Sequence, residues 1–317
     1  MSFCALFRFT TITILVKHLL HHQIDMHKWD ELIRNTSNAD PFLLSSWLNL
    51  VEPSWSALIA DDYAAVFPLF IQKKGFWNFF DLPNFVQKIS IYGDISHQRE
   101  LEIAFELLSL EKNLDYICYT TDQYIVQHST SELKNRRHQI LNLTEDIRFP
   151  TKVWGRNIRK AEAFGLTSIV PITASVFIKS LRDELKGKGN PYSSSDYKLL
   201  EKLADISIAE GFGFIEGITD STGEVLCAQF YLYIRGKIYL VACCSNELAR
   251  QNSLLHYGLF CVIKKYYEKD FQIRVHFGGS NIPVIADFNK NFGAEDENFV
   301  LVYKNKLPFL LRFFKHI

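Results

Sequence analysis

The 317-residue sequence predicts an α+β protein of two domains, each with a mixed, mostly antiparallel sheet flanked by helices. In the second half, two helices precede a row of three strands, and crossover helices follow. This order differs from the regular strand–helix alternation of a doubly wound fold. The first half repeats the order in a weaker form, without residue identity, which indicates an architectural repeat. The length suits two domains of ordinary size.

The helix predicted over residues 151–165 is the clearest element of the second half. Trp154, Ile158 and Ala161 recur at helical spacing and should face the core, and Gly165 is a typical residue beyond a helix end. The same spacing rules predict the rest of this half. In order, these are strand 166–170, helices 173–185 and 195–209, strands 212–219, 225–234 and 237–244, helix 254–267, strand 271–277, helix 283–292 and strand 299–303.

The first half opens with a β-branched run, residues 10–17, which is interpreted as a strand. The apolar start as a whole, residues 1–16, is too short for a membrane-spanning helix and lacks a signal-peptide cleavage pattern, and no later segment looks transmembrane. The other elements predicted here are helices 27–34, 41–50 and 98–110 and strands 55–60, 64–70, 115–119 and 137–143. Polar residues 144–150 suggest a boundary, giving an N-terminal domain 1–148 and a C-terminal domain 149–317.

Charge and cysteine content restrict the function. The 35 Lys and Arg residues balance the 35 Asp and Glu residues, which argues against a dedicated binder of duplex DNA. The six cysteines form no CxxC pair and have no matching histidine spacing, so no metal site is expected. We interpret them as reduced core residues, which favours a cytoplasmic location.

Three stretches resemble the FemAB/FemX-like proteins. Residues 154–166 read WGRNIRKAEAFGL, similar to the family's RNIRKA helix with its later glycine. Residues 276–283 read HFGGSNIP, and residues 288–293 read FNKNFG, similar to the family's FKxxFG. Weaker similarity lies in 25–33 and 53–68. The resemblance implies two tandem GNAT-like (acyl-CoA N-acyltransferase-like) domains, the first of them degenerate.

The resemblance also implies an activity. An acetyl or aminoacyl group would be transferred to an amine of an amino sugar, an amino acid or a peptide-like cell-envelope precursor. The co-substrate would be acyl-CoA, with aminoacyl-tRNA as the less favoured donor and no tightly bound cofactor. The alternative is a non-catalytic binding or scaffold protein that kept the fold. Oligomeric state stays open.

Two departures from the family pattern bear on that choice. The pyrophosphate loop of GNAT proteins relies on glycines before a helix, where backbone N–H groups hold phosphates. The corresponding stretch here, residues 250–258, has no glycine in the loop itself. The family's Phe-Lys pair is Phe288-Asn289 here, with Lys290 one position later.

The chemistry of acyl transfer selects two candidate bases, because the attacking amine must lose a proton. His276 on a strand is one, and Glu216 is the other if burial raises its pKa. Either residue could equally be a packed or exposed strand residue. Gly278 and Gly279 would let a ligand or another backbone approach closely, or form a tight turn.

The remaining candidates would bind substrate or cofactor. Cationic residues on the 151–165 helix could grip phosphates, although a solvated helix face is the common alternative. Residues ahead of the 254–267 helix could hold an anion, and two strand residues would line the cleft. Two residues after the glycines would cap a helix or contact ligand. The set comprises Arg156, Arg159, Lys160, Gln229, Tyr239, Arg250, Gln251, Asn252, Ser253, Ser280, Asn281, Asn289 and Lys290.

Overall fold

The computed structural model describes residues 16–94, 96–121, 131–144, 151–165, 168–186, 191–270, 272–279 and 283–312. The α-helices within these ranges are α1 Met26–Asn35, α2 Ser45–Val51, α3 His97–Glu111, α4 Lys152–Phe164, α5 Ala174–Leu185, α6 Ser194–Ala209, α7 Glu247–Gln251, α8 Leu254–Asp270, α9 Pro283–Asn291 and α10 Phe309–Arg312.

The strands lie mostly between these helices. They are β1 Val16–Leu19, β2 Ser56–Ala60, β3 Ala65–Leu69, β4 Ile71–Lys74, β5 Trp77–Asp81, β6 Tyr116–Thr121, β7 Glu132–Leu143, β8 Val170–Pro171, β9 Gly213–Thr219, β10 Val225–Ile234, β11 Lys237–Ser245, β12 Ile273–Gly279 and β13 Glu295–Asn305. The predicted α+β class is therefore confirmed.

Helix α4 forms as its sequence predicts. The Thr151 hydroxyl caps its first turn by accepting the N–H of Trp154, and Gly165 ends it in the left-handed conformation at φ 85°. Trp154, Ile158 and Ala161 are buried, as their spacing predicted. The amphipathic face packs α4 on α8, so the helix covers one side of the sheet in the second half.

Two sheets carry the described strands. Strands β1, β2 and β3 form a small antiparallel sheet, and the remaining ten follow the order β4-β5-β6-β13-β7-β12-β11-β10-β9-β8. Two strand pairs in the large sheet are parallel, β5 with β6 and β11 with β12. Each pair is joined through one long helix, α3 in the first half and α8 in the second. This shared pattern is the architectural repeat that the sequence predicted.

The two halves exchange their last strands. Strand β13, from the end of the chain, lies between β6 and β7, and β7 of the first half lies between β13 and β12. Both contacts are antiparallel and long, with β13 paired to β7 from Glu295 to Tyr303. The large sheet is therefore continuous across the predicted boundary at 148/149, and that division stays a prediction.

The first half departs from expectation in two places. The helix predicted over 41–50 is a 3-10 turn, Pro41–Leu43, followed by α2, because Leu44 between them has extended backbone angles. The hairpin of β4 and β5 was not predicted, since its short strands lack clear alternation. Part of the predicted strand 10–17 lies outside the described residues, and β1 continues to Leu19.

The main core fills the space between the large sheet and the elements on one of its faces, which are those of the first half together with α5 and α6. Trp47 of α2 stacks on Phe230 of β10, and Phe42 packs edge-on against Tyr239 of β11. A second core lies on the opposite side of the sheet, where α4, α8 and α9 pack. No helix in the described ranges has the length and apolar character needed to cross a membrane.

Candidate functional site

Strands β11 and β12 diverge soon after they meet. They pair over only three positions, Lys237–Tyr239 with Arg274–His276. Beyond this point β11 runs on to Ser245 with no partner strand on that side among the described residues. The result is a V-shaped notch between two parallel strands, with β11 backbone along one wall that pairs on that side with no strand among the described residues.

An irregularity in β11 lies near the base of this notch. Phe230 pairs with Ala242 while its neighbour Tyr231 pairs with Leu240, so Val241 is the extra residue of a β-bulge. Bulges re-aim backbone groups and are frequent beside active sites. Here the bulge lies just beyond Tyr239, the last residue of β11 paired with β12.

The matching position in the first half is occupied by the chain itself. Strands β5 and β6 also pair over three positions, ending at Asp81 and Cys118. The segment that follows then continues the pairing, with the N–H of Leu82 donating to Cys118 O and the N–H of Ile89 donating to Thr120 O. Val86 and Ile89 are buried there. The repeat therefore has one filled notch and one whose β11 wall is unpaired.

A histidine pair lies at the base of the β11–β12 notch. His276 Nδ1 is 2.9 Å from His138 Nε2 of β7, and both side chains are buried. The His276 ring stacks on Tyr239 at 4.3 Å, and the His138 ring stacks on Phe299 at 4.4 Å. His276 Nε2 has no hydrogen-bond partner among the residues that the structure describes. One nitrogen of His276 is thus oriented by His138, and the other is buried without a hydrogen-bond partner in the described ranges.

Burial and neighbouring charge keep His276 neutral. Desolvation lowers its pKa well below the usual value, and His138, Arg274, Lys88 and Lys237 lower it further. A neutral imidazole whose Nδ1–H donates to His138 would have a lone pair on Nε2, the form that can accept a proton. The same burial lowers the pKa of Lys237 to about 8, and its ammonium donates to the carbonyls of Ser37 and Ala39 at 3.0 Å each.

The two glycines after His276 end β12. Gly278 has φ 80°, a left-handed conformation that favours glycine, and a side chain there would meet Gln87 Nε2 at 3.5 Å. Gly279 pairs with His138 across a register shift in β12. The two predicted residues that follow, Ser280 and Asn281, lie outside the described residues.

Arg250 lies at the far end of β11, in a cluster of carboxylates. It lies within α7, one residue before the helix ends at Gln251, instead of in a loop. Its guanidinium donates to Glu184 of α5 at 2.9 Å, to Glu247 at 3.0 Å and to the carbonyl of Ser245. Glu184 also accepts the Ser245 N–H at 2.5 Å. The charge that was predicted to hold an anion is therefore already neutralised.

This cluster borders an open pocket of about 570 Å³. The walls come from α5, the 223–226 turn that starts β10, the end of β11 and α7. Lys179, Asp183, Glu184, Glu224 and Arg250 are among the charged residues that line it. The pocket therefore presents both signs of charge, while Arg159 is not part of its lining.

The turn into α8 keeps its shape without glycine. Ser253 adopts φ 57°, a conformation that usually selects glycine, and it is buried. Gln251 binds Glu247 at 3.1 Å, and Asn252 donates to Leu248 O at 2.9 Å. The side chains of Gln251 and Asn252 thus form hydrogen bonds within the α7 segment.

Gln229 and Glu216 face α8, on the side of the sheet opposite to His276 and Tyr239. Gln229 donates to Leu255 O at 3.2 Å and fills the space above Gly258, so it fixes the start of α8. Glu216 pairs with Lys265 of α8 at 3.0 Å. The structure therefore does not bring Glu216 to the histidine pair.

The other predicted binding residues also lie on the α8 side. Arg156, Arg159 and Lys160 are exposed on α4. Asn289 is buried and donates to Gln139 Oε1 at 2.9 Å, while Lys290 lies 4.0 Å from Asp296. Asn289 thus holds α9 against β7. This buried contact explains why an uncharged asparagine fits where the family pattern has lysine.

Two residues at these sites were missed by sequence reasoning. His138 of β7 hydrogen-bonds His276, and Glu184 of α5 binds Arg250. In both pairs the two residues are distant in sequence. Only the placement of β7 between β13 and β12 brings His138 to His276. The sequence signal was limited to a histidine within a predicted strand.

Comparison with known proteins supports the fold. No family model matches the sequence, and no curated protein matches it. The crystal structure of FemX superposes over 90% of this chain and 96% of its own, with a TM-score of 0.65 and 12% identity. The C-terminal domain of a putative lysylphosphatidylglycerol synthetase from Agrobacterium fabrum covers 89% of this chain and 92% of its own, with a TM-score of 0.57 and 8% identity.

A tandem GNAT protein from the clavulanic acid biosynthesis pathway is similar over 93% of this chain and 99% of its own, with a TM-score of 0.54 and 10% identity. The predicted likeness to FemX-like tandem GNAT proteins is thus confirmed at the level of fold. At these identities the similarity concerns the fold alone.

Proposed function

We propose that this protein is an acyltransferase that transfers an acyl or aminoacyl group to an amine, with the donor seated in the β11–β12 notch. The observation that supports this most is the pairing of β11 and β12 over three positions only, followed by a bulge at Val241. Unpaired backbone along β11 offers hydrogen-bond groups to an acyl carbonyl, and such preorganised donors stabilise developing charge in acyl transfer.

Because β11 and β12 diverge within the sheet, two substrates could approach the notch from its two faces, which suits a reaction with two substrates. A donor entering from the α8 side would project its acyl group between the strands toward Tyr239 and His276. An amine on the other side could then attack. Holding both reactants in line supplies ~7–11 kcal/mol of the barrier in well-oriented systems, so few side-chain catalysts are required.

His276 is the base that we assign to the attacking amine. Its depressed pKa keeps it neutral, and its Nε2 has no hydrogen-bond partner in the described part of the chain. His138 orients the ring through Nδ1. General bases of this kind contribute about 10²–10⁴ in rate.

The identity of the donor depends on the anion contacts near α8. The left-handed turn at Ser253 gives the backbone shape that presents N–H groups at a helix start, which suits the pyrophosphate of acyl-CoA. Arg250 would contribute only after Glu184 moved. We therefore propose acyl-CoA as the donor and aminoacyl-tRNA as the alternative. The acceptor would be an amino sugar, an amino acid or a peptide-like cell-envelope precursor.

Calorimetric titration with acetyl-CoA tests this assignment. Saturable binding to the intact protein, lost when Leu240–Cys244 is disturbed by a Val241→Pro substitution, supports a donor in the notch. The control is Ile208→Thr on the exposed face of α6, away from the notch and from the pocket beside Arg250. Absence of binding excludes acyl-CoA and leaves aminoacyl-tRNA, to be titrated in the same way.

A non-catalytic scaffold is the second candidate, and one observation favours it. Arg250 donates hydrogen bonds to two carboxylates, and Asn289 donates one to Gln139. At these two positions of the FemX-like pattern the chain therefore offers no cation free to bind a phosphate. A scaffold would bind neither donor. Titrations with both donors therefore separate the two candidates.

A further inference from the structure

An aromatic hairpin projects from the edge of the large sheet, away from the notch. Lys74 of β4 pairs with Trp77 of β5, so Gly75 and Phe76 form a two-residue turn. Gly75 has φ 62° and open space around it, as in a type II′ hairpin turn. Phe76, at the tip, is 94% exposed. Such a turn fixes the backbone, so the ring is held out in solvent.

A second apolar element lies at the same end. Leu307 packs in one cluster with Phe79 and Tyr116, and Trp77 packs against that cluster. The N–H of Lys306 donates to Asp115 O. The chain then enters α10, where Phe309 is 71% exposed and Leu311 is 39% exposed. The hairpin and α10 therefore form a shared surface.

Cations surround these aromatic residues. Lys73, Lys74, Lys306 and Arg312 are exposed. None of the four forms an ion pair with a carboxylate within the described ranges. The nearby Asp115 carboxylate accepts the N–H of Asn78 at 2.8 Å. We call this surface the basic aromatic end: Lys73, Lys74, Phe76, Trp77, Lys306, Phe309, Leu311 and Arg312.

We propose that the basic aromatic end docks on an anionic lipid bilayer. Single exposed apolar residues are common on soluble proteins and need no explanation. Here, however, the exposed Phe76 ring lies beside lysines that form no ion pair among the described residues, the combination that seats a protein at a headgroup layer. Isologous contact between two copies would set these cations against each other, which disfavours self-association.

The placement leaves the notch free. Four strand steps separate β5 from β12 in the large sheet, or about 20 Å at the usual strand spacing. Docking through the hairpin therefore does not require the β11–β12 region, and the proposal is independent of the proposed activity.

Tryptophan fluorescence offers a direct readout. Trp29, Trp47, Trp55 and Trp154 are completely buried, whereas Trp77 is half-buried at the base of the hairpin. Adding vesicles of phosphatidylcholine and phosphatidylglycerol should therefore shift emission to shorter wavelength through Trp77 alone. Sedimentation of the protein with the same vesicles measures the affinity.

Two variants and a matched control define the result. Lys73→Ala with Lys74→Ala should weaken vesicle binding about thirtyfold at low salt. Phe76→Ser should remove the emission shift without lowering the melting temperature. Ile208→Ser removes an exposed apolar residue from α6, which packs at the opposite edge of the sheet, and should bind like the parent.

Three results would overturn the proposal. The first is no binding of the parent protein to anionic vesicles. The second is equal binding to vesicles of phosphatidylcholine alone, because the cations would then contribute nothing. The third is a concentration-dependent rise in mass that Phe76→Ser abolishes while vesicles stay unbound, because the surface would then join two copies of the chain.

Discussion

His276 and His138 share a hydrogen bond of 2.9 Å although 138 residues separate them in the chain. The contact exists because β7 of the first half is inserted beside β12 of the second half. If His276 is the base for acyl transfer, His276→Asn should reduce turnover about 100-fold while the melting temperature changes little. Turnover measured with His27→Asn, an exposed histidine on α1, provides the control.

His138 should affect the same reaction through position and charge. Electrostatic repulsion from His138 is among the causes that lower the pKa of His276. Removing it by His138→Gln should raise that pKa, so the acid limb of the pH–rate profile should move to higher pH. A profile that falls in height without moving would indicate a purely structural role for His138.

Glu184 should limit anion binding at Arg250. Glu184→Gln keeps a hydrogen-bond acceptor for the Ser245 N–H but removes the charge that neutralises Arg250. We expect affinity for acetyl-CoA to rise about tenfold, as for gaining one charge-assisted contact to phosphate. Calorimetry of the parent and variant measures the change. Unchanged affinity would mean that Arg250 lies outside the donor site.

His256 should make stability depend on pH. Burial lowers its pKa from 6.5 to about 4, so the unfolded chain binds a proton more readily than the folded protein between these values. Stability should therefore be complete above pH 6.5 and fall as the pH drops toward 4, by about 3 kcal/mol from this group. Urea unfolding at several pH values gives the free energy of unfolding of the parent and of His256→Leu. This free energy should depend less steeply on pH in the variant. Parallel slopes would contradict this assignment.

The exchanged strands should make the two halves unfold together. Strand β7 pairs with β12 and β13, so neither half keeps its sheet without the other. Strand β6 represents the first half and β10 the second. Hydrogen exchange measured at increasing urea should show both strands losing protection in the same transition. Two separated transitions would mean that the domains 1–148 and 149–317 are stable alone.

Local patterns in the sequence were sufficient for most elements of the second half. Helix α4 has its cap, its apolar stripe and its final glycine within 15 residues, so the helix could be predicted without tertiary information. The hairpin at Gly75 could not, because its strands β4 and β5 are short and β5 pairs with β6, which is distant in sequence. The same limit applies to α2, where a single extended residue, Leu44, divides the predicted helix.

The candidate site was only partly predictable for a related reason. His276 was recognised from the motif around Gly278, whereas its partner depends on strand order. Arg250 was assigned to anion binding from its position before α8, but Glu184 reaches it from α5. Periodicity says which face a residue occupies, but it does not say which distant side chain meets it there.

Hydrogen exchange of the intact protein with saturating acetyl-CoA tests the donor site most directly. We expect slower exchange in residues 240–245 of β11 and in the first turn of α8, with β5 and β6 unchanged. If acetyl-CoA has no effect, the same protection should appear with aminoacyl-tRNA. Protection elsewhere, or none with either donor, would contradict a donor site in the β11–β12 notch.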